Sequence, residues 1–252
     1  MKRKRRLRYK NIVKLVTIIS ILVLLVAVAL IFLFSSNNKK NISTRRPAST
    51  TTSSSALPGK TTDWNLILVN RDHKTAELNP TLTQLGNIQV DSRIASSAQS
   101  FLAAAQQIDP AEHFISGYRS VAYQAQLYEM YIEQEMSGQG TVNQSGQAIS
   151  RAEAEKNVQT YSQPPGCSEH QTGLAIDMSD VNSLDAAPAD VVDKIKAIAP
   201  KYGFILRFPK DGTSSTGVGY EDWHWRYVGV PVATYIMKQG ITLEQYLKQL
   251  GK

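Results

Sequence analysis

The ten residues SEHQTGLAID (168–177) decide how this chain is read. Leu174 and Ile176 alternate with Ala175 and Asp177, the period of a strand, so a large apolar pair faces one side and a carboxylate the other. A carboxylate on a half-buried strand needs a ligand or a partner, because an unpaired buried charge is costly. Gly173 lets the chain turn into that strand from His170. The stretch therefore holds an imidazole and a carboxylate seven positions apart at a strand entry.

Working outward, DWHWRYVG (222–229) and FILRF (204–208) read as further strands, and FISGYRS (114–120) as a short strand that delivers Arg119 to the start of a helix. WNLILVN (64–70) is β-rich and closes at Asn70–Asp72, which predicts a strand and a turn. Ile94, Ala98, Phe101, Leu102 and Ala105 recur at helical spacing in 91–108, with Asp91 or Ser92 as the cap. Residues 120–136, 187–203 and 242–251 are three more helix candidates, the last ending near Gly251. Residues 137–163 are polar and predict a surface excursion, with a short helix at 150–159 capped by Ser150, that is a candidate pocket-lining loop. Helices come early and strands late, which predicts an α+β fold with a mostly antiparallel sheet flanked by helices.

Charge divides the chain before any chemistry is considered. Of its 28 Lys and Arg, 13 fall in residues 1–60, which hold no acidic residue; the rest carries 15 against 21 Asp and Glu. The basic excess thus belongs to the tail, and no nucleic-acid partner is expected for an acidic globular part. Residues 15–34 are free of charge and long enough, at 1.5 Å per residue, to span roughly 30 Å of hydrocarbon. The basic cluster before them predicts a cytoplasmic tail at 1–14 and a transmembrane signal anchor at 15–34. Residues 35–60, rich in Ser, Thr and Asn, read as a flexible extracellular linker, and 61–252 as the globular domain. The lone Cys167 forms no internal disulfide, which fits a Gram-positive surface protein. The chain is expected to be a monomer.

The chemistry lies in four residues taken jointly. Singly, each histidine reads as hydrogen-bonded, Asp177 as a strand-end acceptor and Glu221 as a solvated charge. Together, His170, Asp177 and His224 form a two-histidine, one-carboxylate set of the kind that holds a zinc ion while leaving a fourth position open. Glu221, three residues before His224, is placed to be the general base toward a metal-bound water. Cys167 paired with His170 as a thiol nucleophile is the competing reading; it leaves Asp177, Glu221 and His224 unexplained. Trp223, Trp225 and Tyr220 either wall a pocket or, as aromatics on a strand more often do, fill the core.

The pattern S-x-H-x-x-G-x-A-x-D, met by Ser168, His170, Gly173, Ala175 and Asp177, and E-x-W-H, met by Glu221, Trp223 and His224, resemble the two signatures of the VanY-type zinc D-alanyl-D-alanine carboxypeptidases. That group includes DacB- and LdcB-like enzymes. WNLILVNRDH (64–73), SGYRS (116–120) with Gln124, and EDWHWRYVG (221–229) extend the likeness over roughly residues 61–252. The resemblance implies a hedgehog/D-Ala-D-Ala peptidase-like fold, zinc on His170, Asp177 and His224, and Glu221 as base. It further implies Arg119 at the scissile bond, on the oxyanion or the terminal carboxylate, with Ser168, Tyr118 and Gln124 as substrate contacts. The implied partner is the peptidoglycan stem peptide, cut by D,D-carboxypeptidase action; L,D-carboxypeptidase, endopeptidase and non-catalytic wall-binding roles share the plan. Asp222 and Trp225 depart from the usual residues of that pattern without touching a proposed ligand.

Overall fold

Asp177 and His224 face each other across two antiparallel strands, and the rest of the architecture follows from that pairing. In the computed structural model, residues 56–184 and 186–251 are described. The segment 15–34 and most of the expected linker lie outside them; among the described residues no helix is long and apolar enough to cross a membrane.

A hairpin of β1 (Leu82–Leu85) and β2 (Ile88–Asp91) leads into α1 (Ala95–Ala105). Then come β3 (His113–Ser116), α2 (Val121–Ser137), α3 (Arg151–Val158) and β4 (Ala175–Ser179). The chain ends through α4 (Ala189–Ile198), β5 (Phe204–Phe208), the one-turn α5 (Thr213–Thr216), β6 (Glu221–Tyr227), α6 (Val230–Gln239) and α7 (Leu243–Leu250). The main sheet is antiparallel throughout, in the order β3-β4-β6-β5.

Strand alternation sorts this sheet into two unlike faces. Leu174, Ile176, Met178, Trp225, Phe204 and Leu206 share one core with Phe101 and its neighbours on α1. Phe101 stacks on Phe204 at 5.1 Å between ring centroids and meets Trp225 edge-on at 5.2 Å. The opposite face carries Ala175, Asp177, His224, Arg226, Ile205 and Arg207 in register. Ile205 there joins a second core with Leu66, Val232, Tyr246 and Leu247. One face is therefore oil and the other is charge roofed by oil.

Two sequence expectations are corrected. The run 64–70 is not a strand: Trp64–Leu66 form a 3-10 turn, and the carbonyls of Asn65 and Ile67 accept hydrogen bonds from the buried Arg226 guanidinium at 3.0 and 2.8 Å. A buried side chain took the acceptors that a sheet partner would have used. The 91–108 helix starts at Ala95 without a side-chain cap, because Asp91 is still in β2 and both its oxygens bind Arg93. Conversely, Ser150 caps α3 as expected; Ser120 caps α2, and Thr242 caps α7 in a reciprocal box with Gln245. The β1–β2 hairpin and α6 had no counterpart in the sequence reading.

Candidate metal centre

His170 rides on a 3-10 turn, Glu169–Thr172, that starts at Ser168. The Ser168 hydroxyl accepts the His170 amide at 3.4 Å, and Gly173 ends the turn at φ +68°, where any side chain would be strained against Asp91. The His170 ring donates from Nδ1 to the Gly117 carbonyl at 2.6 Å; a carbonyl only accepts, so the proton is on Nδ1 and the lone pair on Nε2. That Nε2 lies 3.3 Å from Asp177 Oδ2, and His224 Nδ1 lies 3.2 Å from Asp177 Oδ1. One donor atom each from His170, Asp177 and His224 fall within 4.8 Å of one another, and all three residues are buried.

Glu221 reaches the same point by an irregularity. Residues three apart on a regular strand face opposite sides. Between Leu206 and Phe208 the β5–β6 register slips, so that Phe208 pairs with Glu221 rather than with Trp223. Across this irregularity in the pairing Glu221 comes to the side of His224, with Oε2 3.8 Å from His224 Nδ1.

The electrostatics of the cluster differ from ligand to ligand. Burial, helped by the nearby Arg119, pushes His170 down to about 3, so its imidazole is neutral and free to ligate. Burial would raise Asp177, but His170, His224 and Arg119 outweigh it and hold the carboxyl at about 2. Burial would lower His224, yet Asp177 and Glu169 raise it to about 9. Asp177 Oδ1 is buried without a hydrogen-bond partner among the described residues. Two imidazoles, one ionised carboxylate and this orphaned oxygen suit a divalent cation of zinc's type.

The family model for VanY, D-alanyl-D-alanine carboxypeptidase, matches residues 87–230, which is more than half of the chain and contains all four of these residues. The chain belongs to the VanY family. It is 35% identical over 191 residues to a D-alanyl-D-alanine carboxypeptidase of Enterococcus faecalis (strain ATCC 700802 / V583), covering 75% of this chain and 68% of that one. It also matches the structure of VanYB in complex with D-alanine-D-alanine, with a TM-score of 0.64 and 34% identity over 74% of this chain and 98% of the other. A second match is the E175A mutant of the vancomycin-resistance D,D-pentapeptidase VanY in complex with Zn(II), with a TM-score of 0.62 and 33% identity, covering 73% of this chain and 99% of that one. Like its VanY relatives, the chain is a zinc metallopeptidase by family.

Around the VanY metal centre, a cavity collects Arg119, Ser168 and Trp223 with the four residues above. Arg119 donates its backbone amide to His170 O at 3.2 Å, and its Nε is buried with no partner among the described residues. Tyr118 and Gln124, expected as substrate contacts, do not line this cavity. The Tyr118 hydroxyl donates to Glu77 Oε1 at 3.0 Å. Gln124 is buried and donates to the Gln163 carbonyl at 2.8 Å, bracing the cavity wall from behind. Trp225 belongs to the core, and Tyr220 packs at its edge. Cys167 lines the cavity, but burial pushes its thiol up, which keeps it protonated and inert.

Of two further features of this VanY site, the first matches the expectation of a pocket-lining loop and the second was missed. The 137–163 excursion supplies a wall, with Tyr161, Ser162 and Gln163 facing the cavity beside Tyr131 of α2. It is held by Glu135, fully buried, whose carboxylate accepts from Val142 N, Asn143 N, Asn157 Nδ2 and the Tyr161 hydroxyl at 2.7–3.1 Å. The second is a buried ion cluster of Glu169, Arg207 and Arg226. Its signal was present in the sequence: an arginine inside each of two apolar strands, FILRF and WHWRY, demands a buried carboxylate.

Proposed function

We propose that this chain is a zinc-dependent carboxypeptidase that removes the C-terminal D-alanine from peptidoglycan stem peptides, working outside the membrane in cell-wall maturation. The observation that carries the reading is the meeting on one cavity of His170, Asp177 and His224 with Glu221 and with an Arg119 whose Nε has no hydrogen-bond partner among the described residues. Zinc held by His170, Asp177 and His224 supplies a Lewis acid that polarises the scissile carbonyl and acidifies water.

Glu221 is the base that takes the proton of the attacking water and returns it to the leaving amine. Burial pushes this carboxyl up to about 7, with Asp177 adding to the rise while His224 and Arg119 oppose it, so its affinity for a proton suits both halves of that transfer. Arg119 offers guanidinium donors either to the oxyanion or to the terminal carboxylate of the substrate. Ser168 and Trp223 contact the peptide. The D,D-preference is drawn from the relatives' names and from D-alanine-D-alanine in VanYB.

The anchor supports the location. Twenty uncharged residues at 15–34 behind a basic tail favour a single span with the domain outside, reached through the linker at 35–60. Protease treatment of intact cells should release the domain while the tail stays inside.

The activity test takes the full-length zinc-loaded protein, defined pentapeptide and tetrapeptide muropeptides, and a Glu221→Ala control, with alanine loss followed by mass spectrometry. Loss from the pentapeptide by the native protein alone supports the D,D-reading. Loss from the tetrapeptide alone replaces it with L,D-action. No loss from either, with zinc bound, rejects the carboxypeptidase.

A further inference from the structure

His224 has two ring nitrogens and only one faces the metal position. Nδ1 lies beside Asp177 and Glu221, which leaves Nε2 pointing into the buried face of the sheet. There Glu169 Oε2 stands 3.6 Å away, and among the described residues neither atom has a hydrogen-bond partner. Two orphaned polar atoms of complementary character, both buried and facing each other, are an unfinished pair.

The carboxylate cannot swing elsewhere. Its other oxygen accepts Arg207 Nε at 2.9 Å and Arg226 Nη1 at 2.7 Å, and all three residues are buried. Register places both arginines on the His224 face: Arg226 is two residues along β6, and Arg207 follows Ile205, which pairs with Arg226. Arg207 is gripped in turn by Glu244 on α7, Nη1 to Oε2 at 2.9 Å and Nη2 to Oε1 at 2.5 Å. The Arg226 guanidinium also binds the Asn65 and Ile67 carbonyls. Glu169 is thus a fixed acceptor, aimed at the nitrogen that a ligating His224 must leave protonated.

We infer that Glu169 is a positioning residue for the metal site: it accepts the Nε2 proton of His224, fixing the tautomer that turns Nδ1 toward the cation. The inference rests on the zinc reading and adds to it a residue outside the two motifs' ligand and base positions. A carboxylate behind a ligating imidazole orients the ring and raises its basicity. The plain alternative is that Glu169 only neutralises Arg207 and Arg226.

Zinc affinity separates the two. In the full-length protein, E169Q is expected to weaken zinc binding about 10–100-fold in chelator competition, as loss of such outer partners does. E244Q cuts the same network at its far end without touching His224, and is expected to lower the thermal midpoint while leaving zinc affinity unchanged. Unchanged affinity in E169Q, or an equal loss in E244Q, overturns the inference. If E169Q does not fold, the native zinc-loaded protein decides: a His224 Nε2 proton shifted downfield in 1H–15N correlation, as a hydrogen bond to a carboxylate requires, supports it, and an Nε2 proton at the shift of an imidazole with no such acceptor overturns it. A native protein that binds no zinc overturns the metallopeptidase reading as well, which distinguishes the two failures.

Discussion

His170, Asp177 and His224 stand on a capped turn and two paired strands, whereas Tyr161, Ser162 and Gln163 stand on an excursion tied down by one carboxylate. The floor of the cavity inherits its geometry from sheet register, which sets many hydrogen bonds at once. The wall inherits its geometry from Glu135, which replaces a strand partner for Val142 and Asn143, and from a four-residue core of Tyr128, Ile132, Ala154 and Val158. Gly140 passes so close to Glu135 that an added Cβ would meet its carboxylate at 2.3 Å. A floor made this way resists change residue by residue; a wall made this way moves when one anchor goes. Chemistry is thereby separated from the surface that meets the rest of the substrate.

The sharpest way to break the comparison is at the floor. Asp177→Ala should lower zinc affinity by more than the roughly 10–100-fold typical of outer-shell losses and abolish turnover, as read by chelator competition. Glu221→Gln should keep zinc but lose about 10²–10⁴-fold in kcat, the range of a general base. The native enzyme should show the matching pH limb. Glu221 works deprotonated and its carboxyl is raised toward 7 by burial, so kcat/KM climbs as pH rises and falls about tenfold per unit below the limb. A bound cation attracts the carboxylate form, so the limb lies at or below pH 7; a limb well above it would remove Glu221 as the base.

The wall should answer differently. Glu135→Ala strips the acceptor from four donors, and hydrogen bonds to a charged group are worth about 1.5–3 kcal/mol each before non-additivity. The excursion should become protease-sensitive and KM should rise about tenfold, equal to about 1.4 kcal/mol, with zinc affinity unchanged. A parallel fall in zinc affinity would mean that floor and wall are one unit. The smallest effect belongs to Cys167→Ser: a protonated thiol beside the cavity does no chemistry, and steady-state rates should match the native protein. Inactivation by that change would revive the thiol nucleophile.

Much of this was legible before the structure. The alternation in SEHQTGLAID placed Asp177 correctly opposite its apolar pair, DWHWRYVG read correctly as a strand, and Ser150 marked one helix start. WNLILVN misled because its β-rich composition was satisfied by burial of Leu66, Leu68 and Val69 while its carbonyls went to Arg226. Tyr118 and Gln124 stand outside the cavity lining because a position in a motif does not say which way a side chain points: one turns to Glu77 and the other to Gln163. The polar excursion was legible as a candidate pocket-lining loop, but its organising residue was not, because Glu135 sits in a helix where a glutamate is ordinarily solvated.

The sequence by itself determined the faces of the strands and the identities of the two histidines, the aspartate and the glutamate, because side-chain alternation and residue chemistry are local properties. Only the tertiary structure decided that an irregular β5–β6 register brings Glu221 to the side of His224, that Gly117 fixes one imidazole tautomer, and that Glu169 faces the other ring between two buried arginines. Those facts depend on partners 53 and 57 residues away in the chain, Gly117 for His170 and Arg226 for Glu169, and long-range pairing leaves no period in a sequence.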